Sequence, residues 1–255
     1  MHNAAFAALG LDHHYELRPA LPADAHAVLD ELARGVFDGF NVTTPLKTIL
    51  AASVELVGIA VRARAVNTLW REGSRLSGTN TDVDGVVQPL AARGVAGGDA
   101  LIVGSGGAAR AAALALESLG LVVHLAARRP SEAQAILDTL AVARPGRVIA
   151  LDDVAGLRSL APDLAVIVQA TPLGRDGPGP DLPWQHVRAG VVAFEMLYRP
   201  RVTGFITAAR AAGGRVVEGW EMLVAQGARS FELWTGREAP RDVMARVVRE
   251  RLGAE

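Results

Sequence analysis

The sequence predicts an α/β protein of two domains, one of which contains a parallel sheet. From about residue 99, short apolar runs alternate with helix-like or loop segments, and a glycine-rich turn follows the first run. This alternation is typical of parallel strands covered by helices on both faces. The segments before residue 85 and after residue 219 lack it. We therefore expect residues 1–84 and 220–255 to form a discontinuous α/β domain, into which a second domain, residues 85–219, is inserted.

The composition favours a globular enzyme that acts on small molecules. Half of the 255 residues are apolar and the net charge is −1, so a sizeable core is expected, without a basic surface for nucleic acid or anionic membranes. There is no cysteine, which excludes disulfides and thiolate catalysis, and the six histidines lack metal-ligand spacing, so no metal site is predicted. Neither a signal-like start nor an apolar run of the roughly 20 residues that a membrane span needs is present. We expect a cytoplasmic monomer or homodimer.

The discontinuous domain is predicted from local patterns of strand, helix and hairpin. Its first part contains HYELRP (14–19) as a strand, LPADAHAVLDELARG (21–35) as a helix, FDGFNVT (37–43) as a strand, and residues 65–82 as a hairpin whose turn is REGS. Residues 219–236 and 239–253 are each predicted to be a helix. No strand in this last part would extend the sheet of the inserted domain.

The inserted domain begins with a short buried strand, a glycine turn and an alanine-leucine helix within residues 99–120. This order predicts the start of a βαβ unit. Further runs expected to be strands are LVVHLAA, RVIAL, DLAVIVQAT, GVVAFEM and GRVVEG. Residues 174–183, rich in glycine and proline, are the clearest flexible loop.

The glycine turn has the order G-x-G-x-x-A between strand and helix, which is typical of a Rossmann-like dinucleotide-binding domain. Glycines let a pyrophosphate approach the amide groups at a helix N-terminus, where the helix dipole favours an anion. Small residues also serve tight helix-strand packing, so a purely structural role stays open here. The candidate coenzyme-binding residues of the turn are Gly104, Ser105, Gly106, Gly107 and Ala108.

Two arginines follow the next predicted strand and indicate which coenzyme is bound. A fold that selects NAD usually has an acidic residue about 20 positions after the glycines, where it holds the ribose 2′-hydroxyl. This chain has Arg128 and Arg129 instead. Their guanidinium groups suit a 2′-phosphate, so the sequence favours NADP over NAD. A solvated pair of arginines is the alternative interpretation.

Lys47 is the only lysine in the chain. Arginine and lysine serve equally on a solvated surface, but arginine stays protonated, whereas a partly buried lysine can give or take a proton near neutrality. Chance loss of all other lysines is the alternative. Three segments with Asn beside or near Thr, residues 41–44, 65–69 and 78–85, occur at expected strand ends. Turn-forming roles would explain them, but together with Lys47 and Asp82 they favour a polar pocket.

Seven motifs along the chain resemble, in order, those of the shikimate dehydrogenase family. They are NVTTPLK, AVNTL, GTNTDVDG, VGSGGAAR, QATPLG, EMLYRPRVT and EGWEMLVAQGARSFELWTG. The resemblance implies reversible reduction of 3-dehydroshikimate to shikimate with NADPH, a step of chorismate and aromatic amino acid biosynthesis, by a substrate domain and a Rossmann-like NADP-binding domain. It implies Lys47 and Asp82 as the catalytic pair. The implied substrate ligands are Thr43, Asn67, Tyr198 and Gln226, and the further coenzyme ligands are Thr171, Gly219 and Met222.

The sequence departs from the family pattern at several positions. Members carry a strand and a Ser-x-Ser loop for the substrate carboxylate before the helix that here begins with His2 and Asn3, so the resemblance implies either a start at an internal Met or a divergent carboxylate site. Glu221 replaces a usual Gly, and we expect its bulk and charge near the nicotinamide. The other departures are Ala127 and Gln169 for Asn, Glu195 for Asp, and Arg129 for Thr.

Three other functions stay open from the sequence. The first is a paralogue that acts on quinate or another cyclic polyol. The second is a nucleotide-binding homologue without shikimate turnover. A different Rossmann enzyme with a Lys/Asp pair, such as a folate dehydrogenase, would leave Gln226 and the C-terminal motif unexplained.

Overall fold

The computed structural model describes residues 1–253, which divide into two compact units. The first unit combines Met1–Asp84 with Val224–Gly253, and the second is Gly85–Leu223. The chain returns to the first unit at Val224, a few residues later than the return expected at residue 220.

The first unit is an α/β layer built on a four-stranded mixed sheet. Its strands are β1 (Gly39–Asn41), β2 (Glu55–Leu56), β3 (Thr68–Glu72) and β4 (Arg75–Thr79), in the order β1-β3-β4-β2. The helices that lie wholly in it are α1 (His2–Ala8), α2 (Ala25–Ala33), α3 (Leu46–Ala51), α4 (Ala60–Ala63) and α11 (Arg241–Gly253). Two longer helices, α5 (Asp82–Ala91) and α10 (Gly219–Thr235), have residues in both units.

The predicted hairpin is confirmed. Strands β3 and β4 pair antiparallel with Leu69 opposite Gly78, and the turn between them is Gly73-Ser74. Gly73 has φ +62°, in the left-handed region that glycine adopts most readily. The two ends of the hairpin therefore place Asn67 and Asn80 next to each other at the same end of the sheet.

The predicted strand at residues 14–19 is wrong. Residues 11–20 form neither helix nor strand. The side chain of Asn3 donates to the carbonyl of Tyr15 at 2.9 Å and accepts from its amide at 2.6 Å. These bonds take the place of a strand ladder for Tyr15, because its donor and acceptor are both already used. The next predicted strand, residues 37–43, is shorter than expected and covers Gly39–Asn41.

The second unit contains a six-stranded sheet in which every pairing is parallel. Its strands are β5 (Gly98–Val103), β6 (Leu121–Ala127), β7 (Pro145–Ala150), β8 (Leu164–Gln169), β9 (Val192–Glu195) and β10 (Arg215–Val217). Their order is β10-β9-β8-β5-β6-β7, so the direction of winding changes between β5 and β8. In doubly wound sheets, ligands bind at the carboxyl ends of the strands at this change.

Helices connect the strands of this sheet. They are α6 (Gly107–Ser118), α7 (Pro130–Leu140), α8 (Val154–Leu160) and α9 (Gly204–Ala211). All apolar runs predicted as strands form strands, and the central strand is deeply buried, with Ile102 and Val103 fully inaccessible. The predicted α/β fold class with a Rossmann-like parallel sheet is therefore confirmed. No helix within residues 1–253 is long and apolar enough to cross a membrane.

Candidate active site

Lys47 and Asp82 form an ion pair in the first unit. The Nζ atom of Lys47, in the first turn of α3, lies 2.5 Å from Oδ2 of Asp82, the first residue of α5. The first turn of a helix is a common position for an acidic side chain, because the backbone amides there carry a partial positive charge. The side chains are 27% and 16% exposed, respectively. The ammonium is thus fixed by its partner and still accessible to a small molecule.

Asn67 fixes the other oxygen of Asp82. Its Nδ2 donates to Asp82 Oδ1 at 2.8 Å and makes a longer contact of 3.4 Å with Oε1 of Gln226. Its Oδ1 accepts from the backbone amide of Thr81 at 2.7 Å. Asn67 is only 3% exposed, so its orientation is set by these bonds rather than by solvent. The structure therefore brings together Lys47, Asp82, Asn67 and Gln226.

A second ring of hydroxyl and amide groups supports Asn67. Its members Asn41, Thr68 and Thr81 belong to the Asn/Thr segments that favoured a polar pocket, whereas Ser230 had no predicted role. The hydroxyl of Ser230 lies 2.8 Å from that of Thr68 and 3.2 Å from that of Thr81. Asn41 donates to the same hydroxyl at 2.9 Å. Thr68 and Thr81 adjoin two of the predicted site residues, and Ser230 lies one helical turn after Gln226, so the i,i+4 spacing was the available signal.

The two other predicted substrate residues are placed differently. Thr43 is exposed and lies four residues before Lys47, in the turn that leads into α3. Tyr198 belongs to the second unit, in the segment after β9, and is 45% exposed. Both are available for contact with a ligand.

The glycine turn joins β5 to α6 at the change of winding. Gly104 has φ +127°, and a Cβ there would lie 3.0 Å from the carbonyl oxygen of Ala170, so a side chain is excluded. By contrast, a Cβ on Gly106 or Gly107 would meet no atom within 4 Å in the described chain. Gly106 caps α6 without a side-chain hydrogen bond. Open space therefore lies beside the first residues of α6, whose amides have no side-chain cap, and this arrangement fits the pyrophosphate of a dinucleotide.

The two predicted 2′-phosphate ligands differ in their surroundings. Both Arg128 and Arg129 are exposed at the carboxyl end of β6. Arg129 Nε forms an ion pair with Oε1 of Glu132 at 2.9 Å. The second oxygen of Glu132 accepts from Ser105 Oγ at 3.1 Å. Within residues 1–253, Arg128 has no ion pair or side-chain hydrogen bond.

Gln169 shapes the loop that carries Thr171. At the end of β8, its Oε1 accepts from the amide of Thr171 at 3.1 Å and from the Thr171 hydroxyl at 3.0 Å. Its Nε2 donates to the carbonyl of Leu173 at 2.7 Å. The replacement of Asn by the longer Gln therefore leaves a side chain that still orders the adjacent loop.

Glu195 has the same position on the neighbouring strand, opposite Gln169 in register. Its side chain is fully buried. It accepts from the amide of Leu197 at 3.0 Å and from the hydroxyl of Thr203 at 2.7 Å. Burial raises the pKa of Glu195 to about 7, although both hydrogen bonds act in the opposite direction. This carboxyl group fixes the segment that contains Tyr198.

Helix α10 begins against that same segment. A Cβ on Gly219 would lie 2.1 Å from the carbonyl oxygen of Leu197, so only glycine fits. Met222 lies in the first turn of this helix and is partly buried. Glu221, expected to bring charge near the nicotinamide, accepts hydrogen bonds from Arg93 Nη2 at 2.9 Å and from the amide of Glu218 at 3.0 Å. Its negative charge is thus paired within the second unit.

Comparison with known proteins identifies relatives of this chain. Residues 1–69 match the model of the shikimate dehydrogenase substrate binding domain, and residues 219–249 match that of the shikimate 5′-dehydrogenase C-terminal domain. Shikimate dehydrogenase (NADP(+)) of Anaeromyxobacter sp. (strain K) is 42% identical over 260 residues, covering 100% of this chain and 91% of the relative. The corresponding enzyme of Moorella thermoacetica is 41% identical, covering 100% and 88%.

Solved structures show the same relationship. The shikimate 5-dehydrogenase of Thermus thermophilus, in complex with NADP(H) and shikimate, superimposes with a TM-score of 0.82 at 34% identity, covering 98% of this chain and 92% of that one. Quinate dehydrogenase of Corynebacterium glutamicum, in complex with NAD, gives 0.83 at 26% identity, covering 98% and 92%. From its sequence identity over the full chain and its fold, this protein belongs to the shikimate dehydrogenase family.

Proposed function

We propose that this protein is an NADP-dependent shikimate dehydrogenase, which reversibly reduces 3-dehydroshikimate to shikimate. The observation that carries the proposal is the Lys47–Asp82 ion pair, held by Asn67, in a chain 42% identical to an enzyme of that name. The proposed role in chorismate and aromatic amino acid biosynthesis follows from this reaction.

Lys47 acts as the proton donor when the ketone is reduced. The coenzyme supplies the hydride. Negative charge then develops on the carbonyl oxygen, and a nearby ammonium group both stabilises that charge and protonates it. Asp82 keeps the ammonium in place through its 2.5 Å contact. In the oxidative direction, the same pair receives the proton of the shikimate hydroxyl.

The substrate hydroxyls are bound by Thr43, Asn67, Tyr198 and Gln226. Asn67 also positions Asp82, because its side-chain amide donates a hydrogen bond to that carboxylate. The hydroxyls of Thr68 and Thr81 donate to Oδ1 of Asn67 at 3.0 and 3.1 Å, respectively. These bonds hold the amide in one orientation, which is expected to preserve the geometry of the catalytic pair.

The coenzyme is bound by the second unit. The open amides at the start of α6 receive the pyrophosphate, and the arginines after β6 receive the 2′-phosphate. The proposed ligands are Gly104, Ser105, Gly106, Gly107, Ala108, Arg128, Arg129, Thr171, Gly219 and Met222.

A second candidate is a dehydrogenase for quinate or another cyclic polyol, favoured by the structural similarity to a quinate dehydrogenase. The absorbance of NADPH formed from NADP⁺ with shikimate or quinate distinguishes the two. Turnover of shikimate supports the leading proposal, and preferential turnover of quinate supports the second. Calorimetric binding of NADPH without turnover of either would indicate a nucleotide-binding homologue. The cytoplasmic location and the monomeric or dimeric state expected from the sequence stay predictions.

A further inference from the structure

Glu132 lies beside the coenzyme ligands and has no part in the proposed chemistry. It is the third residue of α7, in a first turn where a negative charge is favoured. Its two carboxylate oxygens have different partners, Arg129 at 2.9 Å and Ser105 at 3.1 Å. The carboxylate therefore connects the glycine turn after β5 with the arginine pair after β6.

Because Glu132 pairs with Arg129, the two arginines differ in how far their positive charge is offset. Arg128 carries an uncompensated positive charge within the described chain, whereas the charge of Arg129 is offset by Glu132. A phosphate oxygen bound by Arg129 would share that guanidinium with a carboxylate. Because two anions then lie near one cation, part of the attraction for a 2′-phosphate is lost.

The Glu132 carboxylate has the opposite effect on a ribose with a free 2′-hydroxyl, because it can attract that group. A hydroxyl group donates a hydrogen bond to a carboxylate, and an acidic side chain serves this purpose in folds that select NAD. The contact with Ser105 keeps the Glu132 carboxylate at the glycine turn, where the coenzyme is proposed to bind. The same carboxylate thus disfavours one coenzyme and can accept a hydrogen bond from the other.

We propose that Glu132 determines coenzyme preference, lowering the discrimination between NADP and NAD below what two unpaired arginines would give. The inference rests on the proposed function, because it takes the glycine turn and the arginine pair to be the coenzyme site. A purely structural role, in which Glu132 only stabilises the start of α7, would change thermal stability and leave the ratio of the two affinities unchanged.

The test is calorimetric binding of nucleotide fragments to the full chain and to Glu132→Gln. Glutamine retains an oxygen for Ser105 and removes the charge. We expect 2′,5′-ADP and NADP⁺ to bind about fivefold more tightly to the variant, as loss of a competing exposed charge predicts. Affinities for 5′-AMP and NAD⁺ are expected to stay equal or weaken. The gain for 2′,5′-ADP should also diminish as salt is added.

Two controls make the result specific. Glu250→Gln changes the net charge equally at an exposed position of α11 and is expected to leave all four affinities unchanged. Adding Arg129→Met to Glu132→Gln should abolish the gain for 2′,5′-ADP. If Glu132→Gln changes 2′,5′-ADP and 5′-AMP by the same factor, or changes neither, the inference is wrong while the proposed function stands. Failure of the unaltered chain to bind NADP⁺ or 2′,5′-ADP would overturn both.

Discussion

The candidate sites of the two units are built from different groups: hydrogen-bonded side chains in the first unit and backbone amides in the second. In the first unit, a chain of hydrogen bonds connects the side chains of Lys47, Asp82, Asn67, Thr68 and Ser230, in that order. In the second unit, the first amides of α6 have no side-chain cap, and open space lies beside Gly106 and Gly107. The difference fits the proposed roles of the two sites: proton transfer requires one atom at a fixed position, whereas phosphate binding requires close approach to backbone amides.

Two carboxyl groups, one in each unit, also differ in their partners. Asp82 has a lysine at 2.5 Å, whereas buried Glu195 is bound by an amide and a hydroxyl, which are neutral donors. Burial without a cation raises the pKa of Glu195 to about 7. Asp82, which is proposed to assist proton transfer, is thus paired with a cation, whereas Glu195, which orders a loop, is not.

The largest expected effect comes from Lys47. Lys47→Ala and Lys47→Arg should each lower kcat by on the order of 100-fold or more, because arginine keeps the positive charge but does not release the proton. The calorimetric Kd for NADPH should stay nearly unchanged, since Lys47 lies in the first unit. Full activity of Lys47→Arg would contradict the proton-transfer role.

The next largest effect is expected in the pH dependence of the free energy of unfolding, which Glu195→Gln should reduce. Between its ordinary pKa of 4.5 and about 7, Glu195 holds a proton in the folded chain that the unfolded chain has already lost. The stabilising effect of the protonated group is therefore complete below pH 4.5 and is lost as the pH rises to 7. The free energy of unfolding in urea should fall by about 3 kcal/mol more for the unaltered chain than for Glu195→Gln over this range. Parallel curves for the two proteins would show that Glu195 titrates normally.

Two glycine variants separate folding from phosphate binding in the turn. Gly104→Ala combines an unfavourable φ with a 3.0 Å contact, so we expect a loss of about 1–3 kcal/mol of unfolding free energy together with weaker NADP⁺ binding. Gly106→Ala adds a methyl group to open space at an ordinary φ of −93°. It should retain its stability in urea and lose only coenzyme affinity. Equal destabilisation by both variants would argue against an open site at Gly106.

The smallest effect is expected for Ser230→Ala. The substitution removes a fully buried hydroxyl and leaves the amide of Asn41 without one partner. Loss of such a bond costs about 1–2 kcal/mol. Urea unfolding should show this decrease, with kcat reduced far less than in Lys47→Ala. Ser74→Ala, in the exposed hairpin turn, is the matched control and should change neither quantity.

Local patterns predicted most of the fold, because strands such as β5 and β8 are continuous apolar runs and the glycine turn has a fixed spacing. The error at residues 14–19 arose because the side chain of Asn3 replaces a strand partner of Tyr15. Ser230 was missed as a member of the polar pocket because Thr68, its hydrogen-bond partner, lies 162 residues away in sequence. The Lys47–Asp82 pairing was inferred from residue type and resemblance, and its geometry required the structure.

The occurrence of lysine at a single position has a practical consequence for spectroscopy. A protein produced with nitrogen-15 in its lysine side chains would carry the label at Lys47 alone. The ammonium of the proposed proton donor would then give one nuclear magnetic resonance signal, with no assignment to be made. Its chemical shift, followed against pH with and without shikimate, would report the protonation of that nitrogen directly.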